Sequence, residues 1–306
     1  MVTGRARDTG SGTSFIDPRI LAKIDNLDLL ARTVVEGFIN GLHRSPNLGA
    51  SMDFAEHRAY MPGDDLRRID WRLFGRSDRY FVKEFEADTN TNLLLLLDVS
   101  GSMGYGSAGI QKLQYAKYLA SCLGYFSSRQ RDRVGLVTFV DGIIDYVPPA
   151  AKHLPIVLQT IARATATGQS NIDTALRQIA EFARRRQIIV IISDLYDEPE
   201  RVVRAVARLR NRGNDLIVLQ VLDPAELDLP FDDAANFQDL ETGEAIPVVP
   251  SLLREQYRTL MQEHTAALAR LMREERIDYA LFNTAQPLDH ALFAYLADRQ
   301  RLSRIR

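Results

Sequence analysis

The sequence predicts an α/β protein: a mostly parallel central sheet with helices on both faces, joined by an N-terminal segment packed against it. Three observations predict it. Two runs, Leu93–Leu97 and Ile188–Ile192, are wholly apolar over five residues each, as strands buried on both faces are. Amphipathic helical patterns alternate with the apolar runs. The chain has 306 residues, 46% hydrophobic and 25% charged, which is enough to bury a large core without staples.

The elements follow in order. Residues 1–15 are rich in Gly, Ser and Thr and read as a flexible arm. Ile20, Ile24, Leu27, Leu30, Val34, Phe38 and Leu42 recur at helical spacing, with a break at Asn26. The segment 16–92 then becomes dense in charge. From Glu56 to Glu86 it carries seven acids and seven Lys or Arg, with the only Trp and a Pro-Gly turn.

From 93 to 306 the pattern is regular. Leu93–Leu97 is a strand and Lys112–Ser127 a helix. Val134–Val140 and Ile143–Val147 form a hairpin over Asp141-Gly142. Leu154–Ala164 and Ile172–Arg185 are helical, and Ile188–Ile192 is a strand. Glu200–Arg210 is a helix stopped by Gly213, and Leu216–Leu222 a strand. Residues 223–250 are proline-punctuated and Asp-rich, a loop or edge hairpin. Ser251–Arg276 is a long helix with Leu253, Tyr257, Leu260, His264, Ala267 and Leu271 on one face. Tyr279–Phe282 is a short strand, and Leu288–Leu302 a closing helix.

Charge and composition exclude several classes. Against 40 acids stand 38 Lys and Arg, a net charge of −2, so there is no basic footprint for nucleic acid. Five-residue apolar runs are far too short to span a bilayer. No apolar stretch follows Arg5, Arg7 and Asp8 as a secretory signal would. Cys122 stands alone, which fits a reducing compartment. The expected location is the cytoplasm.

The chemistry gathers after the first apolar strand, at Asp98-Val99-Ser100-Gly101-Ser102. Alternate residues carry oxygen, and the carboxyl edge of a parallel sheet is where such folds place ligands. One carboxylate and two hydroxyls form a hard half-shell suited to Mg²⁺ rather than Zn²⁺. Ser170, ahead of a helix, and Asp194, after the second apolar strand, belong on the same edge. Two neighbouring carboxylates, Asp98 and Asp194, repel unless a cation lies between them.

Other patterns lead nowhere. Gly104-Tyr105-Gly106-Ser107-Ala108-Gly109 spells a dinucleotide fingerprint. Its first glycine lies six residues past Asp98, and no acid ends a strand at the required distance. Ile110-Gln111 stands where a P-loop needs Lys and Ser or Thr. The five histidines lack ligand spacing, and His264 and Cys122 read as packing residues. Asp64-Asp65 caps a turn.

The order D-x-S-x-S, hydroxyl, Asp resembles the metal-ion-dependent adhesion site of von Willebrand factor A-type domains. That resemblance implies a von Willebrand factor A-like (Rossmann-like) fold. It also implies a divalent site of Asp98, Ser100, Ser102, Ser170 and Asp194, with Ser170 where a Thr is usual. The cofactor implied is Mg²⁺, or Mn²⁺ or Ca²⁺, with one position left for a partner's acidic side chain. A second resemblance is carried by Arg58-Ala59-Tyr60-Met61-Pro62-Gly63-Asp64-Asp65-Leu66-Arg67-Arg68-Ile69-Asp70-Trp71, flanked by Gly41-Leu42-His43-Arg44-Ser45 and Val82-Lys83-Glu84-Phe85-Glu86. It is similar to the hallmark of the bacterial domain of unknown function 58 family. The family implies a partner, a MoxR-type AAA+ ATPase or its client, and a role in maturing or assembling protein complexes. Tyr60, Arg67, Arg68 and Trp71 are of types enriched at interface hot spots and are the candidate partner-binding residues, although Trp71 equally suits an anchor onto the sheet. The expected function is thus a non-enzymatic, metal-assisted protein-binding module. The alternatives are a metal-dependent hydrolase on the same oxygens, for which no general base or partnered nucleophile stands out, and a scaffold with an empty site.

Overall fold

In the computed structural model the described residues are Leu21, 26–44, 57–59, 81–83, 91–107, 109–183 and 186–288. Helix α1, Leu27–Arg44, starts where the sequence breaks. The Asn26 side chain accepts hydrogen bonds from the N–H groups of Asp28 and Leu29 at 3.0 and 3.2 Å, the work of a helix N-cap. The short strands β1, His57–Ala59, and β2, Phe81–Lys83, pair antiparallel. The arm at 1–15 and the closing helix expected at Leu288–Leu302 lie outside the described residues, apart from Leu288 itself.

The central sheet has six strands. They are β3 (Asn92–Asp98), β4 (Arg133–Phe139), β5 (Ile143–Ala150), β6 (Ile188–Ser193), β7 (Asp215–Leu222) and β10 (Asp278–Asn283). Their spatial order is β10-β7-β6-β3-β4-β5. Every pairing is parallel except the β4–β5 hairpin. The helices are α2 (Lys112–Arg129), α3 (Leu154–Arg163), α4 (Ile172–Phe182), α5 (Pro199–Arg210), α6 (Pro224–Asp228) and α7 (Pro250–Glu274). Strands β8 (Ala235–Gln238) and β9 (Ala245–Val248) form a separate hairpin between α6 and α7. This is the hairpin expected in 223–250, but it joins no edge of the central sheet.

Helices on both faces explain the continuous apolar runs. Leu93, Leu95 and Leu97 point into a core with Leu30 and Val34 of α1, Leu119 of α2 and Val157 of α3. Leu94 and Leu96 point the other way, to Leu176 and Ile179 of α4, Val202 and Val206 of α5 and Leu268 and Met272 of α7. Register places the ends of β3 and β6 side by side, with Leu97 opposite Ile192.

The face of α7 differs from the sequence reading. Its buried side chains are Met261, Leu268 and Met272, with Pro250 at its start. Leu253 and Leu260 are 45% and 57% exposed. The apolar residues of this helix occupy more than one stripe, so periodicity alone selects the wrong one. In urea denaturation, Leu268→Ala should cost about 2–5 kcal/mol, while Leu253→Ala stays within about 0.5 kcal/mol of the parent. Equal losses would restore the original stripe.

Candidate metal centre at the carboxyl edge of the sheet

Three neighbouring parallel strands deliver an acid to the same edge. Asp98 ends β3, Asp194 follows β6 and Asp223 follows β7, and all three are buried. The Ser100 N–H donates to Asp98 Oδ1 at 2.9 Å. Ser193 Oγ donates to Asp98 Oδ2 at 2.5 Å. Ser100 Oγ and Ser102 Oγ lie 3.1 Å apart. Thus Asp98, Ser100 and Ser102 form one continuous oxygen cluster.

The loop that carries Ser170 runs against the serine loop. Thr167 N–H donates to Val99 O at 2.8 Å, and Gly101 N–H to Gly168 O at 2.9 Å. Gly101 is the crossing point. A Cβ there would lie 2.7 Å from Leu240 O and 3.0 Å from Gly168 O, so only glycine lets these backbones approach. The Ser170 N–H in turn donates to Glu241 Oε2 at 2.9 Å. Gly106 is also explained by close approach: a Cβ there would collide with the Ile110 backbone. The glycine-rich stretch is a loop folding back onto α2.

Charge divides unevenly between the two acids. Asp194 Oδ2 is 2.7 Å from Lys112 Nζ, and Glu226 Oε1 is 2.6 Å from the same nitrogen. Lys112 is completely buried. Burial lowers its pKa, but the two carboxylates more than reverse this and hold it above the ordinary lysine value. Tyr196 adds its ring face, with the centroid 4.8 Å from Nζ. Asp98 has no cationic partner among the described residues. Burial first, and then the charge of Asp194, push its pKa up from 3.8 to about 7, against the hydrogen bonds from Ser193 and Ser100.

Asp223 completes the buried network with no cation on it among the described residues. It caps α6 by accepting the Ala225 N–H at 2.8 Å, and accepts from the Ser107 N–H at 2.9 Å, from Ser107 Oγ and from Thr284 Oγ1. The Glu226 carboxylate answers by accepting the Asp223 N–H at 2.9 Å, the reciprocal pair of a capping box.

The sequence reading did not find Ser193, Lys112, Glu226 or Glu241. A signal existed for two of them. Ser193 directly precedes Asp194, and a cation at the first position of a helix is disfavoured by the dipole unless acids meet it, which marks Lys112. Tyr60, Arg67, Arg68 and Trp71 lie outside the described residues. Among the described residues no three His, Cys, Asp or Glu side chains converge to hold a metal ion. A cation here would rest largely on hydroxyls. The residues fit that role. Adjacent corners of an octahedron with metal–oxygen distances near 2.1 Å are about 3.0 Å apart, and the two serine oxygens are separated by 3.1 Å.

Comparison with known proteins agrees on the family. The family model described as "Protein of unknown function DUF58" matches residues 56–267. The chain belongs to the DUF58 family. The uncharacterized protein Rv1480 of Mycobacterium tuberculosis is 29% identical over 266 residues, spanning 84% of this DUF58 chain and 82% of its own. The uncharacterized protein MAV169 of Mycobacterium avium is 31% identical over 121 residues, 38% of this chain and 70% of its own. Among solved structures, an aerotolerance-related membrane protein from Bacteroides fragilis has a TM-score of 0.48 at 18% identity, covering 70% of this chain and 99% of that one. The conserved hypothetical protein BatB from Bacteroides thetaiotaomicron has a TM-score of 0.46 at 18% identity, covering 69% and 99%. The DUF58 chain has the von Willebrand factor A-like arrangement: a mostly parallel six-stranded sheet between helices, with D-x-S-x-S leaving the end of β3. Among its described residues no helix is long and apolar enough to cross a membrane.

Two outcomes follow from the charges. In metal-free protein the folded state keeps the Asp98 proton up to about pH 7, whereas the unfolded chain releases it near its ordinary 3.8. Between these values the folded state binds more protons, so this group loses stability as pH rises. The loss is complete above about pH 7. At about 1.4 kcal/mol for each pKa unit it is on the order of a few kcal/mol. Asp98→Asn should flatten this part of a stability–pH curve in EDTA, and an unchanged slope would refute it. Lys112→Met leaves Asp194 and Glu226 buried without their cation, and should cost about 3–5 kcal/mol near neutral pH. Part of that loss should return in acid, as Glu226, whose pKa burial already holds above the ordinary value, takes up a proton.

Proposed function

We propose that this DUF58 chain is a non-enzymatic protein-binding module that works through a divalent cation, Mg²⁺ or else Mn²⁺ or Ca²⁺, on the carboxyl edge of its sheet. The observation that carries this reading is Asp98: a buried carboxylate with no cationic partner among the described residues, next to two hydroxyls at the spacing of adjacent ligands. Asp98, Ser100 and Ser102 would hold the ion, with Ser170 and Asp194 as the remaining ligands, in part through water. When bound, the ion supplies a Lewis-acidic point that an incoming carboxylate can complete.

The chain's own residues prepare that point. Ser193 and the Ser100 N–H aim the two oxygens of Asp98. Gly101 lets the serine loop lie against the loop of Ser170. Lys112 takes up the Asp194 charge on Oδ2. Neutral hydroxyls neutralise little of the ion's charge, which leaves it attractive to an outside acid.

The proposed partner is a MoxR-type AAA+ ATPase or its client, met in the cytoplasm and engaged through an acidic side chain. Tyr60, Arg67, Arg68 and Trp71 are proposed as further partner-binding residues. Its role would be assembly or maturation of protein complexes.

A thermal melt tests the metal. At 100 times Kd, binding adds about 2.7 kcal/mol, or several degrees at roughly 2–4 °C per kcal/mol. Millimolar Mg²⁺ or Mn²⁺ after EDTA should therefore raise Tm, and Asp98→Ala should abolish the rise. Identical midpoints with and without the ion would defeat the proposal. For the partner, Ser102→Ala should weaken capture of the ATPase while leaving the metal-free melting curve in place.

A further inference from the structure

The hairpin of β8 and β9 has a use that its burial does not explain. Among the described residues its strands pair only with each other, and most of its residues are exposed. Its tip nevertheless arrives at one place, the oxygen cluster. Leu240 O lies against Gly101, the residue between the two serines, and the Glu241 carboxylate rests on the N–H of Ser170. Glu241 has no ion pair among the described residues, and only one of its oxygens is hydrogen bonded there. An acidic side chain with an unengaged oxygen among the described residues is thus brought to the edge that carries the serine hydroxyls and the buried carboxylates of Asp98 and Asp194.

The tip is built to present that side chain. Asp239 Oδ1 accepts the N–H groups of Glu241 and Thr242 at 2.7 and 3.2 Å. Asp239 N–H donates to Glu244 O at 2.8 Å, and Gly243 takes the left-handed conformation with φ +77. These bonds hold a tight turn whose backbone direction fixes where residue 241 points. An acid displayed for solvent needs none of the contacts with Gly101 and Ser170.

We infer that Glu241 is an internal ligand of the metal centre: when the ion binds, its carboxylate turns from the Ser170 N–H onto it and fills from within the chain the position that a partner's carboxylate takes on binding. The inference rests on the metal-assisted reading above. A partner with an acidic side chain then binds by exchange: its carboxylate replaces that of Glu241, and the hairpin tip leaves Ser170. The class of partner favoured is a protein that presents an acid on a protruding loop, as this hairpin does.

Mn²⁺ alone is the probe, bound to the whole chain. Titration followed by water-proton relaxation reads both affinity and the number of exchangeable waters left on the bound ion. Glu241→Gln should weaken Mn²⁺ binding by about tenfold, the effect of losing roughly 1.4 kcal/mol, and should raise the relaxivity per bound ion because water enters the vacated position. Equal affinity and equal relaxivity in Glu241→Gln and the parent would overturn the ligand role while leaving the metal site intact. Glu241→Asp keeps the charge but is one methylene short. It should behave like the Gln variant, and parent-like behaviour would mean that only diffuse charge matters, which also overturns the proposal. Absence of saturable Mn²⁺ binding in the parent, or binding that survives Asp98→Ala, would remove the metal-assisted reading itself and this inference with it. The melting curve of Glu241→Gln in EDTA should match the parent, because the tip adds little to the core.

Discussion

One buried ammonium organises this edge of the protein. Lys112 begins α2, and its Nζ meets two carboxylates that are distant in sequence, Asp194 and Glu226. An isolated buried charge costs several kcal/mol, so the helix can start only where those acids are. That requirement shapes what precedes it. The chain leaves β3 at Asp98, forms a short 3-10 turn over Gly101–Gly104 and folds back so that Lys112 N–H meets Tyr105 O at 2.8 Å. The serine loop is therefore braced from both ends: by the sheet at Asp98 and by the lysine that anchors the helix.

The same lysine changes how the pair of acids is understood. Repulsion between Asp98 and Asp194 argues from sequence for a cation between them. Lys112 provides one, but from the interior and for Asp194 and Glu226. Asp98 is left with hydrogen bonds only, and burial raises its pKa. What looked like one symmetrical pair is two unlike groups, one settled by an ion pair and one needing either a proton or a metal.

Much of the fold was legible because burial on both faces of a parallel sheet leaves continuous apolar runs, and such runs bracket Asp98 and Asp194. The β3 run from Leu93 to Leu97 divides its alternate residues between two cores, so each position had to be apolar. The face of α7 was not legible, since Leu252, Leu253 and Leu260 are apolar yet exposed. At the site, Asp98, Ser100 and Ser102 were visible as a local spacing. Lys112 was marked only as a cation at a helix start, and Glu241 not at all. Their partners lie 82, 114 and 71 residues away in the chain, and pairing over such distances leaves no periodic trace.

The hairpin shows how a firm base and a lightly held tip coexist. Near its base, Arg254 on α7 donates to Leu229 O at 3.0 Å and to Phe231 O at 2.8 Å, and Tyr257 Oη donates to Glu226 O at 2.7 Å. Phe231 and Phe237 meet edge to face at 5.5 Å. These contacts tie the hairpin's root to α6, whose Glu226 holds Lys112. The polar hold on the tip is slight by comparison: the hydrogen bond from Ser170 to Glu241, worth about 0.5–1.5 kcal/mol net. A competing carboxylate at the edge has that bond and the proposed contact of Glu241 with the ion to replace, while the root contacts need not move. Glu226 thus belongs to two structures at once, the ion pair that fixes the serine loop and the joint from which the hairpin extends, so the loop and the acid that rests beside it are positioned from the same buried charge.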